Sequence, residues 1–174
     1  MKLRCLFRST LILLILFFMA GAQDSLTYRD TIENFQVSCP VGWTVRKYYS
    51  GDIRAEVIKN HNTGFQVRVA KGDFQINENY VKRYCDSFIS RNNKNGFSFT
   101  LIGFKVTRIG YYKGAIIRFA MKKSSGEKGL QKHYLFQPKK GKFFNAHSGT
   151  FEKDIDATEK IFDEIAASLV FYFY

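Results

Sequence analysis

The sequence predicts an α+β protein in which an antiparallel β-sheet of about eight strands is sandwiched by two helices. Segments in which apolar and polar residues alternate recur along the chain and are joined by short turns. Only two segments have apolar residues at the helical spacings of three and four. Strands that follow one another through short turns pair antiparallel, so the two helices are expected to pack on the sheet.

Four predicted strands precede the first helix. In the first of them Phe35, Val37 and Cys39 alternate with polar residues, and Pro40 ends the pattern. Short turns that contain Gly, Ser or Asn separate this segment from the next three. The four segments are FQVSC, WTVRKYY, IRAEVIKN and FQVRVA.

The first predicted helix covers residues 77–91. Its apolar positions fall on one helical face and are Val81, Tyr84, Cys85 and Phe88. An Asn-rich stretch ending in Gly96 follows, and glycine readily adopts the left-handed conformation that closes helices.

The second predicted helix closes the chain. Its apolar face comprises Ile161, Phe162, Ile165, Ala166 and Leu169. Asp156 and Glu159 have the spacing of a capping box, which predicts that the helix begins near Asp156. We expect the acids of this region to form a solvated face and to complement the helix dipole. These acids are Asp154, Asp156, Glu159, Asp163 and Glu164.

Strand character returns between the two helices, in FSFTLIG, FKVTRIGYY, KGAIIRFAMKK, LQKHYLFQ and KFFNAHSG. Pro138 and Gly141 suit a turn between the last two. A hairpin centred on Lys140 places His133 and His147 opposite each other on neighbouring strands. Two imidazoles could contribute to a zinc site, but zinc takes three or four ligands and no third is evident. We therefore expect two ordinary histidines and neither a metal nor a cofactor.

The N-terminal 22 residues have the order of a secretory signal peptide. Lys2, Arg4 and Arg8 precede an apolar run from Leu11 to Ala20, and cleavage is predicted after Ala22. An uncleaved anchor is the alternative, although a membrane span needs roughly 20 apolar residues and this run has about half of that. Residues 23–174 are then expected to form a single exported domain, periplasmic or extracellular and not membrane-spanning.

The charge distribution predicts an anionic partner. The chain has a net charge of +12, with fifteen Lys or Arg between residues 81 and 150 against only Asp86 and Glu127. Such a field favours encounter with anions, whereas the alternative is that the lysines are merely solvated and prevent edge pairing. Acidic proteins, phosphorylated surfaces and polyanionic glycans are such anions, whereas an exported protein seldom meets nucleic acid. Of these partners we expect an acidic protein. The predicted contact residues are Lys122, Lys123, Lys128, Lys132, Lys139, Lys140 and Lys142.

Two cysteines remain after the predicted cleavage. Cys39 and Cys85 would lie in an oxidising compartment, so a disulfide is possible on count alone. Two buried free thiols are the alternative, because the sequence does not say how the strand end that carries Cys39 lies relative to the helix that carries Cys85.

Three motifs in the chain resemble the PsbP-like family, whose fold is shared with a nuclear Ran-binding protein. A proline-x-glycine-tryptophan turn leads the first hairpin at residues 39–43, and a glycine-lysine-aromatic strand begins at Gly141. A small-residue, Ser-Leu close ends the last helix at residues 167–171. The resemblance implies an antiparallel sheet between helices and an accessory role in binding other proteins.

No arrangement of residues indicates a catalytic site. Hydrolysis needs paired acids, a metal-bound water or a nucleophile beside a base, and the sequence offers none of these in an obvious cluster. We therefore predict an exported, non-enzymatic accessory or binding protein that contacts an acidic partner protein. The alternative is a small envelope hydrolase or a carrier of an apolar ligand, with a pocket between sheet and helix.

Overall fold

A computed structural model describes residues 25–49, 51–72, 74–93, 96–139, 142–151 and 153–172. The predicted signal peptide, residues 1–22, lies outside these ranges. The elements in chain order are β1 Leu26–Asp30, β2 Phe35–Cys39, β3 Thr44–Lys47, β4 Ile53–Asn60, β5 Thr63–Lys71, α1 Glu78–Asn92, β6 Phe97–Ile109, β7 Tyr112–Lys123, β8 Lys128–Lys139, β9 Lys142–Thr150, α2 Ile155–Ala167 and β10 Val170–Phe171.

The α+β class and the antiparallel pairing are as predicted, but the strands form two sheets. Seven strands pair in the order β3-β4-β5-β9-β8-β7-β6, and three more pair as β1-β2-β10. The described residues thus contain ten strands where about eight in one sheet were predicted. The sequence pattern missed β1 because most of its residues are exposed, and β10 because it has only two residues.

Each face of the seven-stranded sheet has its own core. On the side that we call the α1 face, helix α1 packs Val81, Cys85 and Phe88 against a cluster that includes Ile117 and Phe119. On the opposite side, the α2 face, helix α2 and the small sheet pack together over β4, β5, β8 and β9. Residues of this second core include Phe35, Trp43, Phe65, Tyr134, Phe144, Phe162 and Ile165.

The helix ends follow local hydrogen bonding. Helix α1 matches its prediction within one residue, and the Asn77 side chain caps it by accepting from the Tyr80 N–H at 2.9 Å. The predicted start of α2 at a capping box is wrong. The helix begins at Ile155, and Asp154 is the cap that accepts from the Ala157 N–H at 3.0 Å.

The predicted helical close of the chain is also wrong in its last residues. After α2 the backbone extends and pairs with β2, so that Phe171 lies opposite Phe35. The Phe171 ring lies 4.3 Å from the ring of Phe144 and 4.9 Å from that of Tyr112, measured between centroids. Burying this aromatic residue between the two sheets favours a strand over a further helical turn.

Gly114 on β7 is a site where an added methyl group cannot be accommodated. A Cβ there would collide with the Leu135 carbonyl oxygen on β8 and lie 3.0 Å from Ile109 Cδ1. We expect Gly114→Ala to lower the free energy of unfolding by about 1–3 kcal/mol, as overpacking does. Gly103→Ala on β6, where a Cβ meets nothing within 4 Å, is the matched control. Urea denaturation measures both, and equal losses would contradict the proposed clash.

Candidate functional site

Helix α2 leaves part of its sheet face bare. It packs on β2, β8 and β9, whereas several side chains of β6, β7 and the start of β8 on the same face are exposed. The strand register places these exposed side chains in neighbouring rows. We call them the basic strip, which consists of Ser98, Thr100, Lys105, Ala120, Lys122 and Lys128.

The charges of the basic strip are not balanced by acids among the described residues. Lys122 and Lys128 lie directly opposite each other on β7 and β8. No described carboxylate lies within salt-bridge distance of these two lysines or of Lys105. Like charges directly opposite in a sheet destabilise it, so this pair lowers the stability of the fold. An anionic partner would relieve that repulsion.

The structure separates the other predicted contact lysines from the strip. Lys123 points to the α1 face, where its Nζ lies 2.6 Å from Glu127 Oε2 and 4.0 Å from the centroid of the Phe151 ring. Lys139 is exposed at the end of β8. Lys140 lies outside the described residues, and so does the side chain of Lys142.

Lys132 is a correction to the predicted contact surface, because only 4% of it is exposed. Its Nζ lies 2.8 Å from Glu159 Oε1 and 2.7 Å from Asp163 Oδ1, both on α2. The Arg118 guanidinium also donates to Glu159, at 2.8 Å, and the Tyr134 hydroxyl donates to Asp163 at 2.8 Å. Lys132 therefore holds α2 on the sheet and is not available to a partner.

The same contacts correct the expected role of two acids. Glu159 and Asp163 were expected on a solvated helix face, yet both pair with cations of the sheet. Burial raises the pKa of Glu159, but the hydrogen bonds from Lys132 and Arg118 outweigh burial and leave this pKa below its ordinary value. Glu159 is therefore charged at neutral pH and firmly ion-paired.

His133 and His147 are cross-strand partners, as the hairpin prediction had it. Their rings stack with centroids 3.8 Å apart and an angle of 9° between planes. The Tyr84 hydroxyl of α1 reaches both of them, at 2.9 Å from His133 Nδ1 and 3.1 Å from His147 Nε2. Sequence reasoning put Tyr84 on the buried face of the helix but did not identify it as the partner of the histidines.

The hydrogen bonds around this pair are consistent with two neutral imidazoles. The Gln131 amide donates to His133 Nε2 at 2.9 Å, so Nδ1 carries the proton and donates to the Tyr84 hydroxyl. That hydroxyl then donates to His147 Nε2 and accepts from the Asn145 amide at 3.2 Å. Three of the imidazole nitrogens, His133 Nδ1, His133 Nε2 and His147 Nε2, are therefore engaged in hydrogen bonds.

Burial sets the protonation of the pair. Burial lowers the pKa of His133 well below its ordinary value, and electrostatic interactions with His147 and Arg68 lower it further. Burial, with a contribution from Arg68, lowers the pKa of His147 to about 3. No group of three potential metal ligands occurs among the described residues. The geometry is that of a hydrogen-bonded stack beneath α1.

A polar row continues from the histidines across the α1 face. The register places Gln66 opposite His147, Glu56 opposite Gln66 and Arg46 opposite Glu56. An open groove of about 590 Å³ lies along this row. Its lining also includes the apolar side chains of Phe97, Phe99, Met121 and Phe151. The groove is therefore of mixed polarity and differs from a closed apolar cavity.

The two cysteines are free and buried, the second of the two alternatives that the sequence left open. Cys39 belongs to the core on the α2 face and Cys85 to the core on the α1 face, so the seven-stranded sheet lies between them. Burial raises the pKa of the Cys85 thiol to about 11, and Asp86 adds to the effect. No disulfide links them in this structure.

Comparison with known proteins finds likeness only at the level of structure. No family model matches the sequence, and no curated protein matches it. The cyanobacterial PsbP protein (CyanoP) of Synechocystis sp. PCC 6803 superposes with a TM-score of 0.67, at 14% identity, over 87% of this chain and 96% of its own. LpqN of Mycobacterium tuberculosis, described as involved in cell envelope biogenesis, gives 0.57 at 10% identity, over 86% of each chain.

A third similar structure comes from Bacteroides thetaiotaomicron. It has a TM-score of 0.56 and 14% identity, and the match covers 86% of this chain but 49% of that one. Identities this low establish a shared fold and nothing about shared activity. The chain has the PsbP-like fold.

Proposed function

We propose that this chain, with its PsbP-like fold, is an exported accessory protein that acts without catalysis by binding an acidic partner protein through the basic strip. One observation carries the proposal, namely the facing pair Lys122 and Lys128 on an uncovered part of the sheet. Exposed positive charges that lie close together steer a negatively charged partner toward the surface and increase the rate of association. Lys139, exposed at the end of β8, extends the positive field toward the β8–β9 hairpin.

Export is part of the same proposal. It rests on the N-terminal pattern of Lys2 and Arg4 before an apolar run, with residues 23–174 as the single exported domain. The likeness to a cyanobacterial PsbP and to a cell-envelope protein is consistent with a location outside the cytoplasm. No helix among the described residues is long and apolar enough to cross a membrane.

The alternatives have weaker support. A carrier of an apolar ligand calls for an enclosed apolar cavity, whereas the groove is open and has a polar wall that includes Arg46 and Glu56. A hydrolase calls for a nucleophile beside a free base. Of the two histidines that line the groove, His61 and His147, the second is hydrogen-bonded through Nε2 to the Tyr84 hydroxyl.

Charge reversal on the strip tests the proposal. We expect Lys122→Glu combined with Lys128→Glu to reduce capture of envelope proteins by the tagged protein at least tenfold at low salt, because two attractive contacts become repulsive. The wild-type protein should lose the same proteins when the salt concentration is raised. Capture is quantified by mass spectrometry from the envelope of cells that produce the chain.

Two further variants locate the effect. Lys82→Glu with Lys113→Glu changes the net charge equally at exposed sites outside the strip, and it should retain the captured proteins. Lys139→Glu with Lys140→Glu should lower the on-rate and its salt sensitivity. Unchanged capture by the Lys122 and Lys128 variant at low salt, or equal loss in the Lys82 and Lys113 control, would refute the strip as the contact surface.

A further inference from the structure

We infer that the segment which the basic strip receives is an acidic amphipathic helix that lies alongside α2. This inference rests on the proposed function, since it names the kind of partner that the same surface binds. Three observations support it: the width and length of the uncovered sheet, the ion pairs that bind α2 to the same face, and the small side chains between the lysines of the strip, which we call its floor.

The bare part of the sheet has the dimensions of one helix. Neighbouring strands are about 4.8 Å apart. Helix α2 lies over β8 and β9, so a second helix centred over β6 and β7 would have its axis two strand spacings away, at about 10 Å. Helices pack side by side at about 8–10 Å. Lys105 lies opposite Ile116 on β7, and Ile116 is six residues from Lys122 on the same strand. The strip is therefore about 20 Å long in the strand direction. That length corresponds to about 13 helical residues.

Helix α2 shows how a helix is bound on this face. Arg118 on β7 and Lys132 on β8 are cross-strand partners, and together they hold Glu159 and Asp163, which are one helical turn apart. Lys122 and Lys128 form a cross-strand pair of the same kind, on the same two strands and the same face. An acid pair at i and i+4 on a second helix would meet them as Glu159 and Asp163 meet the first pair.

The floor of the strip permits close approach of a helix. Ala120 lies between the two cation pairs and is exposed, and Ser98 and Thr100 beside it are small. Ile102, in the bulge of β6, is 52% exposed and offers an apolar contact. Five cations of β6, β7 and β8 lie on this face, namely Lys105, Arg118, Lys122, Lys128 and Lys132. Glu159 and Asp163 offset two of them, which leaves this part of the sheet net positive for the acidic helix.

Two synthetic peptides distinguish a helix from acidity alone. The first is a fluorescent peptide of about 14 residues, helical in isolation, with Glu at i and i+4 and Leu and Ala on the same face. The second has the same charge and length but contains two central prolines that prevent a helix. Fluorescence anisotropy at low salt measures binding to the protein purified from cells that express the full chain. We expect the helical peptide to bind at least tenfold more tightly.

Variants of the protein separate this inference from the proposed function. Ala120→Phe should weaken the helical peptide at least tenfold by filling the floor, while its thermal unfolding stays close to wild type because the site is exposed. Lys122→Glu with Lys128→Glu should abolish binding of the peptide. If both peptides bind equally and charge reversal abolishes both, the partner need not be a helix. That result would refute this inference and leave the basic strip as a contact surface. Binding of neither peptide, or binding insensitive to charge reversal, would overturn both.

Discussion

Replacing Lys132 by alanine is expected to lower the free energy of unfolding by about 2–4 kcal/mol, because it removes two hydrogen bonds between charged groups. The change removes the Nζ that lies 2.8 Å from Glu159 and 2.7 Å from Asp163, and Glu159 then keeps its charge in a largely buried position. The loss is this large because two charge-assisted hydrogen bonds disappear and Glu159, with little access to water, keeps Arg118 as a cationic partner but loses Lys132. The melting temperature should fall by roughly 10 °C.

Two other variants show whether the loss comes from this network. Lys122→Ala removes a lysine from the same face that has no described ion pair, so its effect should stay within about 0.5 kcal/mol. Lys132→Met combined with Glu159→Leu removes both charges and should recover most of the lost stability. Thermal unfolding followed by circular dichroism measures all three. A loss below about 1 kcal/mol for Lys132→Ala would contradict the network's role in holding α2.

Acidification is expected to destabilise the protein because two neutral histidines are buried. A histidine in the unfolded chain has a pKa of about 6.5, whereas burial lowers the folded-state pKa of His147 to about 3. As the pH falls below about 6.5, the unfolded chain therefore binds a proton that the folded chain does not. Between pH 6.5 and 4.5 this difference costs about 2 kcal/mol for His147, and His133 adds to it.

The histidine variants isolate this contribution. His147→Gln keeps a polar side chain beside Tyr84 but removes the titrating group, so its stability should fall less steeply with pH than that of the wild type. His61→Gln changes an exposed histidine in the turn between β4 and β5 and should leave the slope unchanged. Urea unfolding at pH 7, 5.5 and 4.5 gives the slopes. Identical slopes for wild type and His147→Gln would contradict the assignment of the pH dependence to the stacked pair.

The stacked histidines show which contacts a local sequence pattern can predict and which it cannot. The turn residues Pro138 and Gly141 and the alternation on either side predict the register that pairs His133 with His147, and the structure has that register. A hairpin register follows from a short segment of chain, so it can be read from sequence. The Tyr84 contact comes from a helix about fifty residues earlier in the chain, and nothing local specifies where that helix crosses the hairpin.

The amino-acid sequence determined the period of each segment, and through it the α+β class, both helices and the antiparallel strands between them. Within one strand, alternation also places Lys128 and Lys132 on the same face, since four residues separate them. Only the tertiary structure decided that α2 covers Lys132 and leaves Lys122 and Lys128 bare. The physical reason is that a strand's alternation specifies two faces, while the layer that packs on each face depends on contacts between segments far apart in the chain.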